Sequence, residues 1–233
     1  MPHYNDINDR FLDYLRNDVD TSVSLGLPDH LHRLGDPSLD AHWRSVEKAQ
    51  ALLAELENTA AEDFYEALDI DLMQRHLQKE LFFKTLENHG ELQRKRKPAG
   101  VDGISEGIFQ LFVNDDRDSA ARLADILSRL QQAPDYLRAE LSLLTTPVRR
   151  WRDIELEQAE EVPDLFNSVL DWARETSFAD IAELETSVLD VNQALQDYRN
   201  TLSAMETTDD FAIGRDKLEE LLALKRIDRS PED

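Results

Sequence analysis

Two long segments in the second half of the chain repeat apolar residues at alternating spacings of three and four. The second of these series consists of Ile181, Leu184, Val188, Val191, Leu195, Tyr198, Leu202 and Met205. The first begins after Thr146-Pro147 and contains Val148, Trp151, Glu155, Gln158, Val162, Leu165, Val169 and Trp172. This spacing is typical of helices that bury one face against a neighbouring helix. Because only a short break separates the two series, they predict an antiparallel helical hairpin over about 147–177 and 178–206.

Two positions of the first series are polar. Glu155 and Gln158 stand where apolar residues are expected. A carboxylate that faces a partner helix needs a hydrogen-bond donor, a cation or water. Two explanations are open: the hairpin splays at this point, or these side chains face something outside the chain.

The first half of the chain predicts shorter helices and no strand. The apolar periodicity places them at about 5–18, 37–58 (starting from Asp36-Pro37), 61–89 with a break near Asp69, 104–113, 119–132 and 135–144. Residues 93–103 combine a basic run, Arg94 to Lys97, with Pro98, Gly100 and Gly103, which favours a linker. We therefore predict an all-α, multi-helix array forming a single helical domain over 1–233. A possible subdivision is 1–92, the basic linker 93–103, and 104–233.

The charge of the chain limits its partners. Asp and Glu number 49 against 26 Lys and Arg, a formal net charge of −23. Such a field repels nucleic acid and anionic lipid, so we expect neither as a partner. The acid excess is most often a solubility feature, and an acidic docking surface for a basic partner is the less favoured alternative. We interpret the Arg94–Lys97 run as a solvated loop that neutralises nearby acids, with contact to a polyanion as the alternative.

Targeting signals and membrane spans are not evident in the sequence. The N-terminus has no basic region followed by an apolar one, and no stretch approaches the roughly 20 apolar residues of a membrane span. A cytoplasmic location is the expectation.

Candidate chemistry is sparse. The chain has no cysteine and six histidines, namely His3, His30, His32, His42, His76 and His89. His30 and His32 could chelate a metal only on an extended segment, and the spacing of Asp69, Asp71 and His76 suits one helix face poorly. No HExxH, GxSxG or Walker-type sequence is present. We assign no catalytic, cofactor-binding or metal-binding residue, and we expect that the chain as it stands is not an enzyme.

Several stretches together carry a family resemblance. They are FLDYLRNDVDTSVSLGLPD, GDPSLDAHWRSVEKAQALLAELE, the basic segment followed by GISEGIFQLF, RLADILSRLQQAPDYLRAEL, and the late FAIGRDKLEELLALKRIDRSPED. They resemble the N-terminal half of the bacterial domain-of-unknown-function 885 (DUF885) family. The resemblance implies that full-length members are helical zinc metallopeptidases of the gluzincin type, with an HExxH helix in a second half that this sequence lacks. No site residue of that half carries over to this chain.

Two hypotheses of function follow. The first is a non-catalytic helical N-terminal portion of a zinc-metallopeptidase-like protein of unknown substrate. The second is a free-standing acidic helical module for protein–protein interaction. The first predicts an exposed apolar face where a missing catalytic half would dock or where a homo-oligomer would form. An independent helical enzyme is the least favoured reading, because no acid–base constellation can be named.

Overall fold

The computed structural model describes residues 3–228, and within them the chain is predominantly helical. The elements are α1 Tyr4–Asn17, α2 Val19–Ser24, α3 Leu39–Glu57, α4 Phe64–Lys84, β1 Glu87–Asn88, β2 Glu91–Leu92, α5 Gly100–Val113, α6 Ser119–Leu143, α7 Arg149–Glu175, α8 Ile181–Ala204 and α9 Arg215–Leu224. The prediction of an all-α, multi-helix array is confirmed. None of the helices in the described part has the length and apolar character needed to cross a bilayer.

The chain forms two compact units that are discontinuous in sequence. Unit 1 contains the residues up to Tyr14, Leu39–Arg94, and those from Asp210 onward, whereas unit 2 contains Leu15–Ser38 and Lys95–Asp209. One border between the units falls inside the basic segment 93–103. The single domain, and its subdivision at that segment, stay predictions.

Unit 1 is built on the pairing of α3 with α4. Its core consists of Ile7, Ala49, Leu52, Leu56, Ile70, Met73 and Leu77. Helix α1 is fastened to α4 by the Tyr4 hydroxyl, which donates to Asp69 at 2.6 Å, and by the Tyr14 hydroxyl, which donates to Glu80 at 2.6 Å. Helix α9 packs on α4 and contributes no buried residue.

Unit 2 is a four-helix bundle. Its neighbouring pairs are α5–α6, α6–α8, α8–α7 and α7–α5, and α2 packs on α5. Ion pairs from Arg174 to Glu185 and from Arg199 to Glu160 join α7 to α8. Because the residue numbers of these pairs run in opposite directions, the two helices are antiparallel, as the predicted hairpin requires. Helix α8 also has an extensive contact with α6, which the hairpin alone did not indicate.

The buried face of α8 matches its predicted series, but that of α7 does not. In α8 the positions from Leu184 to Leu202 in the series are all buried. In α7, three members of the predicted series are buried, namely Glu155, Val162 and Val169. At the other three positions, the buried residue is the one that follows the predicted one: Ala159 instead of Gln158, Phe166 instead of Leu165, and Ala173 instead of Trp172. Helix α7 packs against both α5 and α8. Its buried face is therefore centred between these two helices, which displaces these positions by one residue from the series predicted for a single partner.

The predicted helix bounds were wrong in the first half of the chain. Helix α3 begins at Leu39, and Asp36 caps the amide of Ser38 (2.9 Å) before the helix starts. Helix α4 begins at Phe64, after Asp63, whose carboxylate accepts from the amides of Tyr65 and Glu66. It runs through Asp69 without a break and ends at Lys84. The predicted stretch up to His89 instead contains β1, which pairs with β2 around a turn at His89 and Gly90.

Two further predictions were wrong around unit 2. Helix α6 is one element that contains Pro134, although a stop was predicted near Gln132. Burial of Leu130, Ala133 and Leu137 around the proline offsets the loss of one backbone hydrogen bond. Helix α5 begins at Gly100, so residues 100–103 are helix and not linker.

Candidate functional site

Helix α5 carries three glycines on one face. The large side chains of Tyr198, Tyr136 and Arg129 pack directly against them. Gly100, Gly103 and Gly107 have the helical spacing i, i+3 and i+7. A methyl group on Gly100 would lie 2.8 Å from the phenol of Tyr198, and one on Gly103 or Gly107 would overlap the tip of Tyr136 or Arg129. Only glycine permits this close approach. We call this face the glycine groove; the sequence GVDGISEG displays its spacing, and our sequence reading missed it by treating the first two glycines as linker.

Glu155 lies at one end of the glycine groove and caps α5 from outside the helix. Its Oε1 accepts a hydrogen bond from the amide of Val101 at 2.8 Å and another from the Tyr198 hydroxyl at 2.8 Å. The cap residue of α5, Ala99, has no side chain that could do this. The first amides of a helix have no partner within the helix, and a negative charge is favourable there. Glu155 therefore supplies from α7 the cap that the local sequence lacks.

Gln158 contacts the same turn of α5. Its Nε2 donates to Asp102 Oδ1 at 3.1 Å. Both polar positions in the α7 series thus bind the start of α5. The hypothesis that they face something outside the chain was wrong, because hydrophobic periodicity does not identify which helix end lies opposite a polar side chain.

Burial alters the titration of this cluster. Glu155 is 2% exposed, and burial is the main cause that raises its pKa; the nearby Asp102 and Glu140 raise it further, while its two hydrogen bonds oppose the shift. Burial, and then the charge of Glu155, also raise the pKa of Tyr198. Glu140 is itself 1% exposed. Acidic and phenolic groups from three helices are thus held together in a poorly solvated interior.

Arg129 fastens a loop to the bundle through the glycine groove. It is 1% exposed, and its Nε donates to the backbone oxygen of Leu31 at 2.6 Å. Desolvation lowers its pKa to about 10, opposed by the charges of Asp20 and Asp125. Gln132, one turn further along α6, binds the same loop by donating to the oxygen of His32 and accepting from the amide of Leu34.

The basic run does not form the solvated loop that was predicted. Arg96 is 4% exposed, so one of the four basic side chains of the run is buried. The backbone is fixed as well, because the oxygens of Lys95 and Arg96 accept from the amides of Thr145 and Val148, each at 3.0 Å. The prediction failed because composition records the charge of a segment but not the backbone partners available to it.

The histidines and acids considered as metal ligands lie in separate surroundings. His42 Nε2 lies 2.9 Å from the backbone oxygen of Lys84, and desolvation lowers its pKa. His76 lies 3.6 Å from Glu80, whereas Asp71 is paired with Arg75 and Arg226. Over residues 3–228, no group of three or more His, Cys, Asp or Glu side chains could hold a metal ion.

The chemistry available to the buried cluster is limited by its burial. A general acid or base must lie within hydrogen-bond reach of the proton that it transfers. Glu155 and Tyr198 are at most 2% exposed and are already bonded to each other. The arrangement joins α5, α7 and α8 through the interior of the bundle.

A solved structure shares this fold. The chain is similar to "a putative lipoprotein of unknown function from Shewanella oneidensis", with a TM-score of 0.73 and 15% sequence identity. The match covers 88% of this chain but only 38% of that chain. At this identity the likeness concerns the fold alone. No curated protein matches the sequence.

A family model matches nearly the whole chain. Residues 20–232 match the family described as bacterial protein of unknown function (DUF885). The match includes every helix of the bundle and the buried cluster described above. The chain therefore belongs to the DUF885 family.

Proposed function

We propose that the chain is the non-catalytic helical portion of a longer zinc-metallopeptidase-like protein. The observation that carries this proposal is the coverage of the structural relative, since 88% of this chain corresponds to 38% of a much longer chain. The same arrangement of helices thus occurs as one part of a larger polypeptide. The peptidase-like character of the remainder is what the family resemblance implies.

The interior of unit 2 supports a scaffolding role. Glu155 and Tyr198, whose pKa values burial raises, are at most 2% exposed, and Glu155 is bonded both to Tyr198 and to the Val101 amide of α5. Three of the four bundle helices, α5, α7 and α8, are joined in this way. A rigid wall beside a substrate cleft holds the substrate against catalytic groups supplied by another segment.

The test compares this chain with a longer DUF885 protein that contains an HExxH motif. Both are purified without chelator and assayed for zinc by mass spectrometry and for cleavage of a mixed peptide library. We expect the longer protein to bind zinc and to cleave peptides, because two His on one helical face and a Glu base would be present. We expect neither property in this chain.

Two results would contradict the proposal. One is a zinc ion bound stoichiometrically by this chain; the other is peptide cleavage by this chain that a chelator abolishes. Light scattering on the same sample addresses the alternative, a free-standing interaction module, for which a discrete oligomer is the expected result.

A further inference from the structure

The residues between α2 and α3 form no helix or strand and lie against the bundle of unit 2. They are residues 25–38, and all of them belong to unit 2. We call this segment the strap. Its backbone passes through the left-handed region at Gly26 (φ 66°) and at His30 (φ 62°). Glycine adopts this region freely, whereas it is less favourable for a residue with a side chain.

Two residues of α6 hold the middle of the strap. Arg129 Nε donates to the backbone oxygen of Leu31, while Gln132 donates to the oxygen of His32 and accepts from the amide of Leu34. Because Arg129 and Gln132 are three residues apart on one helix, they lie on the same face, and the strap runs along that face. Leu31 and Leu34 are each 7% exposed and belong to the core of unit 2. The closed strap therefore covers Arg129.

Arg129 is a buried cation without a paired carboxylate. Within residues 3–228, no acid forms an ion pair with it, and its Nη2 has no hydrogen-bond partner in the protein. Asp20 and Asp125 act on it only from a longer distance, and Asp125 is already paired with Arg117 at 2.8 Å. Desolvation accordingly lowers the pKa of Arg129 to about 10. Buried charges are normally paired, so the closed strap carries an energetic cost.

Opening of the strap removes this cost, because water then solvates the guanidinium. Opening is opposed by the burial of two leucine side chains and by hydrogen bonds that water can replace. The helix pairs of the bundle, α5–α6, α6–α8, α7–α8 and α5–α7, pack against one another without the strap. Segments that make few contacts open at a lower free energy than the core does.

We propose that the strap is a lid that opens over Arg129 while the four-helix bundle stays folded, and that the unpaired guanidinium lowers the free energy of this opening. The open form exposes a cation that the closed form hides. The proposal does not depend on the peptidase-like role, because it concerns only contacts within unit 2.

Hydrogen exchange of single amides, followed by NMR, tests the proposal. The amide of Leu34 donates to Gln132 and reports on the strap. The amide of Leu195, in the interior of α8, reports on the bundle. The ratio of the two exchange rates, each corrected for its intrinsic rate, separates opening of the strap from unfolding of the whole unit.

The decisive variant is Arg129→Gln. Its side-chain nitrogen takes the place of Arg129 Nε and keeps a donor for the oxygen of Leu31, but the charge is removed. The matched control is Arg122→Gln on the same helix, because Arg122 Nε also donates to a backbone oxygen, that of Leu111, at 2.8 Å.

In the unmodified chain we expect the Leu34 amide to exchange at least about tenfold faster than the Leu195 amide. In Arg129→Gln, exchange at Leu34 should slow at least about tenfold relative to exchange at Leu195, because the closed strap no longer buries a charge. Arg122→Gln should leave the ratio unchanged.

Chemical modification gives a second readout that does not need the Arg129 variant. Phenylglyoxal modifies accessible arginines, and peptide mass spectrometry measures each site separately. Gln132→Ala removes the bonds to His32 and Leu34, so it should speed modification of Arg129 at least about threefold. Arg138, whose side chain is 68% exposed on α6, should react at the same rate in both chains.

Three results would overturn the proposal. Unchanged or faster exchange at Leu34 in Arg129→Gln would show that the guanidinium serves only to fasten the strap. Equal protection of Leu34 and Leu195 in the unmodified chain would show that the strap and the bundle open together. A rate of Arg129 modification that Gln132→Ala does not change would show that the strap does not control access to Arg129.

Discussion

The two units of the chain use the same kind of helix in different ways. In the bundle of unit 2, each long helix packs against two others, and even polar side chains such as Glu155 and Arg129 become buried. In unit 1, α4 buries one face against α1 and α3 and leaves Phe64 and Tyr65 exposed. The comparison teaches that apolar periodicity marks a face able to be buried, while the number of neighbouring helices decides whether it is.

The largest expected effect comes from placing a charge in the core of the bundle. Leu195→Asp introduces an unpaired carboxylate at a position that is 2% exposed, and we expect a loss of about 4 kcal/mol in the free energy of unfolding. Leu189→Asp on the same helix is the control, since its side chain is 70% exposed. Urea unfolding measures both; equal midpoints would refute the assignment of the buried face of α8.

In unit 1, truncation of a core leucine tests the one-sided packing of α4. Leu77 is fully buried, whereas Leu72 on the same helix is 52% exposed. We expect Leu77→Ala to cost about 3 kcal/mol through lost burial and a cavity, and Leu72→Ala to cost less than about 0.5 kcal/mol.

Hydrogen exchange gives that prediction a second readout. If unit 1 opens by itself, Leu77→Ala accelerates exchange of the α4 amides and leaves those of α8 protected. An equal loss of protection in both helices would show that the units unfold together.

A smaller effect is expected in the glycine groove. Gly107→Ala gains helix propensity but drives a methyl group into the Arg129 guanidinium, for a net loss of about 1–2 kcal/mol. Gly35→Ala is the control, because the nearest atom to its methyl group is Asp20 Oδ2 at 3.8 Å. In an Arg129→Ala background the cost of Gly107→Ala should disappear, which a double-mutant cycle of unfolding free energies measures. If Gly107→Ala still destabilises the Arg129→Ala variant, the cost does not arise from a clash with the Arg129 side chain.

The smallest effect is a dependence on pH. Since burial raises the pKa of Glu155 above its ordinary value of 4.5, the folded state holds this proton to higher pH than the unfolded state does. The contribution of Glu155 to stability therefore decreases as the pH rises through that window. Gln keeps an oxygen for the Val101 amide and the Tyr198 hydroxyl but does not titrate.

We expect Glu155→Gln to gain stability relative to the unmodified chain as the pH rises above about 4.5, and urea midpoints measured over a pH series check this. Glu157→Gln, at an exposed position of α7, is the control and should show no such trend. If the difference in stability between Glu155→Gln and the unmodified chain does not change with pH, the pKa of Glu155 is not raised by burial.

Particular elements show how far sequence reasoning extended. The face of α8 was predicted residue by residue, because a helix with a single buried stripe displays its burial directly in its spacing. The bounds of α4 and α6 were wrong, because Asp69 and Pro134 resemble breaks locally and are compensated by the Tyr4 hydroxyl and by burial around the proline. The buried cluster was only half visible: Glu155 was noticed as irregular, but its partners lie 54 and 43 residues away in the chain.

The sequence by itself determined that this chain is helical, which faces of its long helices are apolar, and that it carries a large negative charge. These properties depend on local spacing and composition. Only the tertiary structure decided which polar groups are buried, which helix caps which, and which apolar face stays exposed. The physical reason is that burial and hydrogen bonding between distant segments depend on which helices become neighbours, and the periodicity of one helix does not contain that information.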